Sequence, residues 1–144
     1  MKSEKGFTIV ELLIVIVVIG ILAAIVVVAY NGVTNRAKTT KAESTASSIT
    51  SKVEAYNAEI GNYPATYSLL TSAGTTTSYY VPSNAYTLKA TALVGTDGEL
   101  LFNYASCVTP TGFRVSTWNY GSGAVAHKYV GGATAASTCT LIAS

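Results

Sequence analysis

Few side chains in this sequence have the type and setting to do chemistry, and the most isolated is Glu11. It precedes Leu12 to Ala29, a run with no ionisable or amide side chain. A carboxylate in a membrane helix costs roughly 2.5 kcal/mol or more at the helix centre, so such acids are usually paired and functional. Cys107 and Cys139 form an even pair on the same side of the apolar run. On an exported side they predict a disulfide, worth about 3 to 4 kcal/mol in the chain-entropy model, with two buried reduced thiols as the competing reading. His127 is the one histidine. No Ser or Cys stands in a recognisable nucleophile motif beside it, and with the two Cys it has no metal-ligand spacing. Asp97 and Glu99 sit in a Gly95-Thr96-Asp97-Gly98 turn, but calcium takes about six to eight oxygens, so the pair reads as a turn. Tyr79, Tyr80, Tyr86, Tyr104, Tyr120, Tyr129 and Trp118 could line a sugar or DNA contact, although such residues more often pack sheets. These residues imply no enzyme, no metal and no cofactor.

The elements that would position these groups follow from length and patterning. The chain has 144 residues, 49% apolar and 11% charged, with a formal net charge of +2. That is room for one domain and a helical extension. The Lys and Arg are too few and too dispersed for a nucleic-acid footprint. Residues 1–6 are short and polar, with Lys2 and Lys5 around Glu4. The following run is long enough for a bilayer, which takes about 20 apolar residues.

Three readings of this segment compete. A secretory signal cut near Ala29 would need an apolar region longer than the usual 7 to 15 residues, roughly speaking, and leaves Glu11 unexplained. A plain membrane anchor accommodates the length and again leaves Glu11 as an accident. Cleavage before the apolar segment accounts for the short leader, the length and the acid together.

That third reading carries a resemblance. Lys5-Gly6 followed by Phe7-Thr8-Ile9-Val10-Glu11-Leu12-Leu13-Ile14-Val15, then Ile19-Gly20-Ile21-Leu22-Ala23-Ala24-Ile25 and Ala29-Tyr30, resembles the class III signal of type IV prepilins, most like a major pilin. The resemblance implies a prepilin peptidase that cuts between Gly6 and Phe7 and methylates the Phe7 amine. It further implies that Glu11 meets the free amine of a neighbouring subunit; two opposite charges in an apolar bundle are less costly paired than alone. Gly20 would be a close helix contact. The family's usual proline falls on Val28 here, which leaves Asn31-Gly32 as the weak point of the helix. Lys2 and Lys5 are matched by Arg36, Lys38 and Lys41, so charge bias does not set the orientation. The cysteines and the leader place the head outside the cytoplasm.

Past Tyr30, apolar residues Ala42, Ala46, Ile49, Val53, Tyr56 and Ile60 recur at helical spacing, with Gly61 and Pro64 as stop signals. A continuous helix from Phe7 to Ile60 would be about 80 Å long. The expected layout is a leader over 1–6, a membrane or filament-core helix over 7–30, its amphipathic continuation over 31–60, an irregular connection over 61–85 and a sheet head over 86–144. Candidate strands are 85–94, 99–106, 112–120, 124–130 and 138–143, separated by turns that include Pro110-Thr111-Gly112. The expected fold is α+β, with a long amino-terminal helix whose second half packs on a small antiparallel sheet.

The function expected from the resemblance is a type IV pilus subunit for adhesion, motility or DNA uptake. Its partners would be copies of itself, the peptidase, the cytoplasmic membrane before assembly, and the assembly platform with its ATPase. A pseudopilin of a secretion or DNA-uptake machine is the alternative within the fold. An exported adhesive or carbohydrate-binding module with an ordinary signal is the alternative outside it.

Overall fold

A computed structural model describes residues 6–108 and 111–142. The expected leader, Gly6 apart, therefore lies outside the described residues, as do Pro110 of the expected turn and Ala143 at the end of the last expected strand. The chain falls into two compact units, Met1–Asn35 and Arg36–Ser144.

Helix α1, Ile9–Ile60, supplies the first unit and one wall of the second. Its start is local chemistry: Leu12 N–H donates to the Thr8 carbonyl at 3.3 Å, which makes Thr8 the N-cap. With valine at position 28 every main-chain donor is retained, and α1 continues as helix through Val28 to Gly32. It stops at Gly61, whose φ of 83° is the left-handed conformation in which glycine closes a helix. The Gly61 N–H donates to the Asn57 carbonyl at 2.9 Å.

In the first unit the helix is exposed on every face. In the second it buries Ala42, Ala46, Ile49 and Val53, as the spacing predicts, with Thr45 and Thr50 widening the stripe. Thr45 is accommodated because its hydroxyl donates to the Lys41 and Glu99 carbonyls at 3.1 and 3.0 Å. The stripe ends sooner than the spacing implied. Tyr56 packs beside the core, whereas Ile60 is exposed next to the helix stop.

The connection after α1 holds a single turn of helix, α2 (Ser68–Thr71), which buries Leu70. Five strands follow: β1 (Thr87–Leu88), β2 (Leu101–Val108), β3 (Thr111–Asn119), β4 (Ala124–Gly131) and β5 (Cys139–Leu141). The sheet order is β1-β2-β3-β4, with β5 beside β2 on the same side as β1. All pairings are antiparallel except β1 with β2, which is parallel.

That parallel pair departs from the expected all-antiparallel sheet. Its cause lies in residues 89–100, a connection of the length that a parallel crossover needs, about a dozen residues. The expected strand 85–94 shrinks to two residues because the chain turns away after Leu88. Asn103 Nδ2 donates to the Lys89 and Thr91 carbonyls, the latter at 2.9 Å, and so fixes that turn.

The core lies between α1 and the sheet. Phe102, Tyr104, Val115 and Phe113 from β2 and β3 meet Ile49 and Val53 from α1 and Tyr67 and Leu70 from the connection. Tyr104 stacks on Phe113 with ring centres 4.6 Å apart, and Tyr67 meets Phe102 edge-on at 5.1 Å.

Candidate functional site

The residues that could act on a partner lie in the first unit. Phe7 is 85% exposed, and the large apolar side chains from Ile9 to Val28 are all exposed in the single chain. This is an apolar surface that none of the described residues covers, on a helix long and apolar enough to cross a membrane. Gly20 lies on it in open space: a methyl group added there meets nothing within 4 Å. Among the described residues nothing therefore requires glycine at that position.

The polar group in this surface is not left bare. Thr8 N–H donates to Glu11 Oε2 at 2.9 Å, and the Thr8 hydroxyl donates to the same oxygen at 2.8 Å. Glu11 N–H lies 3.2 Å from Thr8 Oγ1. This is a reciprocal capping box, in which an N-cap Thr and the acid three residues on satisfy the orphan donors of a helix start. Sequence reasoning treated Thr8 as part of a motif and missed this role. The signal was present, since Thr-x-x-Glu before an apolar run is the signature of such a cap. Gly6, Phe7 and Glu11 therefore stand together at the exposed front of α1, and Gly20 stands farther along it.

Sequence candidates in the second unit have structural partners. Cys107 and Cys139 form a disulfide, opposite each other in the β2–β5 register. Asp97 receives Lys89 Nζ at 2.7 and 2.8 Å and Val94 N–H at 2.7 Å, closing its turn. The hydrogen bond from Lys89 holds the Asp97 carboxyl below the usual carboxylate range. His127 is paired through Nδ1 with the Ser116 hydroxyl at 2.7 Å, a contact invisible in sequence because it joins β3 to β4. Ser116 is 1% exposed, so its hydroxyl is closed to a substrate. Burial, and then the nearby Arg114, pull the His127 pKa down.

Most of the aromatic side chains are committed to packing as well. Tyr104 is buried, Tyr79 and Tyr86 pack on the core, and Tyr79 meets Tyr56 at 4.9 Å. Tyr120 donates its hydroxyl to the Asp97 carbonyl and lies beneath Lys38 Nζ, 5.4 Å from the ring centre. Trp118 covers Gly95, and Tyr129 leans on His127.

The exposed apolar segment and its capped acid also lie within a stretch that matches a known family. A family model described as the prokaryotic N-terminal methylation motif matches residues 1–27. A fimbrial protein of Pseudomonas aeruginosa is 46% identical over 54 residues, which is 38% of this chain and 35% of that one. By this segment the chain is similar to proteins of the type IV pilin family. A fimbrial protein of Neisseria meningitidis serogroup B is 43% identical over 75 residues, 52% of this chain and 42% of that protein. The type IV major pilin protein PilE1 of Neisseria gonorrhoeae is 43% identical over 61 residues, 42% of this chain and 37% of that one. The chain thus spans about a third to two fifths of the length of these relatives. No solved structure matches it.

Proposed function

We propose that the chain is the structural subunit of a type IV pilus, cut between Gly6 and Phe7, methylated on the Phe7 amine, and polymerised through α1. The single observation that carries this reading is the capped Glu11 at the front of an apolar helix that none of the described residues covers. Such a surface requires a bilayer or copies of itself, and a fibre offers the second after the first. Polymerisation through one repeated heterologous contact that does not close yields a fibre from a single chain. Gly20 supports the reading as a place where a neighbouring helix would approach closely, since none of the described residues fills that place.

The chemistry asked of the subunit is association. The peptidase, the assembly platform and its ATPase belong to this reading as partners. Adhesion, surface motility and DNA uptake are the tasks such a fibre would serve. The subunit would wait in the cytoplasmic membrane with its head outside, then enter an extracellular filament.

The experiment is mass spectrometry of the chain from sheared cell-surface filaments. The expected result is a mature start at N-methylated Phe7 in filaments that vanish when the gene is deleted. A mature start at Tyr30, or a chain found only as a free secreted protein, overturns the reading. Short fibres confined to the envelope would instead favour a pseudopilin.

A further inference from the structure

Strand β4 is an outer strand of the sheet, with β3 on one side and no described strand on the other. In an antiparallel ladder the main-chain groups of alternate residues point to alternate sides. Gly132 N–H donates to the Thr111 carbonyl at 3.1 Å, whereas Gly131 N–H points the other way and lies 3.4 Å from Glu54 Oε1. With the register running from Gly112↔Gly131 to Asn119↔Ala124, Ala126, Lys128 and Val130 therefore bond to β3, and Val125, His127 and Tyr129 turn their N–H and C=O groups outward. Those outward groups have no hydrogen-bond partner among the described residues. Exposed edges are usually blunted by a bulge, a proline, a short strand or an outward lysine. Here the strand has 8 residues, an unbroken register and no proline. Lys128 is turned towards α1, where its Nζ donates to Ser47 Oγ at 2.8 Å, and the His127 ring is engaged with Ser116.

Helix α1 runs beside this edge and touches the hairpin at intervals. Thr39 Oγ1 accepts from Tyr120 and Gly121 N–H at 3.0 and 3.2 Å, Ser47 takes Lys128, and Glu54 takes Gly131 N–H. Glu43 stands about one turn from both Thr39 and Ser47, hence on the same side of the helix. Yet it makes no ion pair or hydrogen bond among the described residues. Its carboxylate opens on a groove of about 310 Å³ that is lined also by Ala46, Thr117 and Ala126.

We propose that the outer edge of β4, walled by Glu43 and Ser47 of α1, docks an extended strand of another protein that carries a lysine or arginine. Outward N–H and C=O groups on every second residue are matched by the main chain of a second strand, the mode in which peptides add to an exposed sheet edge. Side chains of the added strand alternate between faces, so every second one enters the groove. There Ala46, Thr117 and Ala126 leave room for a short side chain, and Glu43 offers a carboxylate to a cation. The occupant is another protein because this chain has no free basic strand to lend. Its lysines and arginines beyond residue 5 lie in α1, in β3 or β4, or, for Lys89, in the ion pair with Asp97. Every residue of the site belongs to the second unit, so docking does not depend on polymerisation.

The test uses a capped synthetic heptapeptide of alternating threonine and valine, with lysine in place of the central valine, added at millimolar concentration to the full chain in detergent micelles. Amide hydrogen exchange is read residue by residue. Binding should slow Val125, His127 and Tyr129 by about tenfold, the effect of one added hydrogen bond each. Ala126 and Lys128 should not change, because their amides already bond to β3. A peptide N-methylated at every amide should protect nothing. One with glutamate for lysine should bind roughly threefold more weakly, the size of an exposed charge pair. Glu43→Lys, at an exposed position of α1, should reverse that preference. The inference is overturned if the three amides do not respond, if Ala126 and Lys128 slow equally, if the N-methylated peptide protects as well, or if Glu43→Lys leaves the preference unchanged. Protection of the same amides without peptide, as the chain is concentrated, overturns the choice of occupant and assigns the edge to a second copy.

Discussion

Removing the disulfide gives a prediction whose size can be worked from the structure. Cys107 and Cys139 are 32 residues apart and join β2 to β5. In the chain-entropy model a loop of that length removes about 12.4 cal/mol/K from the unfolded chain, which is roughly 3.7 kcal/mol at 25 °C. The second unit has 109 residues (144 − 36 + 1). At about 2.1 cal/mol/K per residue its unfolding entropy is about 0.23 kcal/mol/K, so the loss lowers the melting temperature by roughly 16 °C. Cys107 is 1% exposed, so the Cys107→Ala/Cys139→Ala variant adds a small packing loss to that figure. The measurement is thermal unfolding of the full chain in detergent, by near-ultraviolet circular dichroism, with and without reductant. A drop of less than about 4 °C would refute the reasoning. It would mean that β5 docks on β2 by its hydrogen bonds, including Ile142 N–H to the Tyr104 carbonyl at 2.9 Å, and that the crosslink adds little.

Other perturbations probe the core, the close strand contacts and the buried phenols. Ile49→Ala, at a fully buried position between α1 and the sheet, should cost about 3 kcal/mol in a chemical denaturation midpoint. Gly112→Ala should cost about 2 kcal/mol or more, because its methyl group would meet the Val130 carbonyl and lie 2.9 Å from Ala133 Cβ; Gly98→Ala, with its nearest contact at 3.6 Å, serves as the control in the same denaturation. Burial pushes the Tyr67 phenol up to about 12, and burial raises Tyr104 further still. Raised phenol values mean that the folded state keeps protons that the unfolded chain gives up above about pH 10, so stability is complete below that pH and falls as pH rises towards 12 and beyond. Tyrosine absorbance against pH should show the exposed phenols titrating first and these two appearing with unfolding. Below neutrality the sign follows His127, whose pKa is lowered: its contribution is present above the ordinary histidine value near 6.5 and is lost as pH falls from there towards the depressed value. A His127→Gln chain should show a flatter melting temperature across that window.

The helix was legible almost to its ends because its signals are local. Apolar residues without interruption, a spacing of three and four through Val53, and a glycine stop all act within a few residues of one another. The strands expected over 99–106, 112–120 and 124–130, found over 101–108, 111–119 and 124–131, were legible to within about two residues for the same reason, since each is bounded by turn formers or a glycine. The first expected strand failed because a distant side chain decides it: Asn103 captures the main chain at Lys89 and Thr91. Ile60 shows the limit of periodicity, since it keeps the spacing of the stripe yet stays exposed beside the helix stop. The Ser116–His127 contact depends on register between two strands, which the pattern of neither strand contains. Glu11 was singled out from its chemistry alone, while Thr8 was legible and overlooked, its cap hidden inside a motif read for another purpose.

The disulfide has a meaning under load as well as under heat. In the proposed filament the subunit would be a link in a chain that carries tension, and a link fails by lengthening. If the sheet gave way, the 32-residue span between Cys107 and Cys139 could add about 110 Å of slack, at roughly 3.5 Å per extended residue. The bond shunts that span, so the rest of β2, the whole of β3 and β4, and the turn between them stay out of the line of force. A pulled head would lengthen only through residues outside the loop, and its hairpin could re-form at once when tension drops.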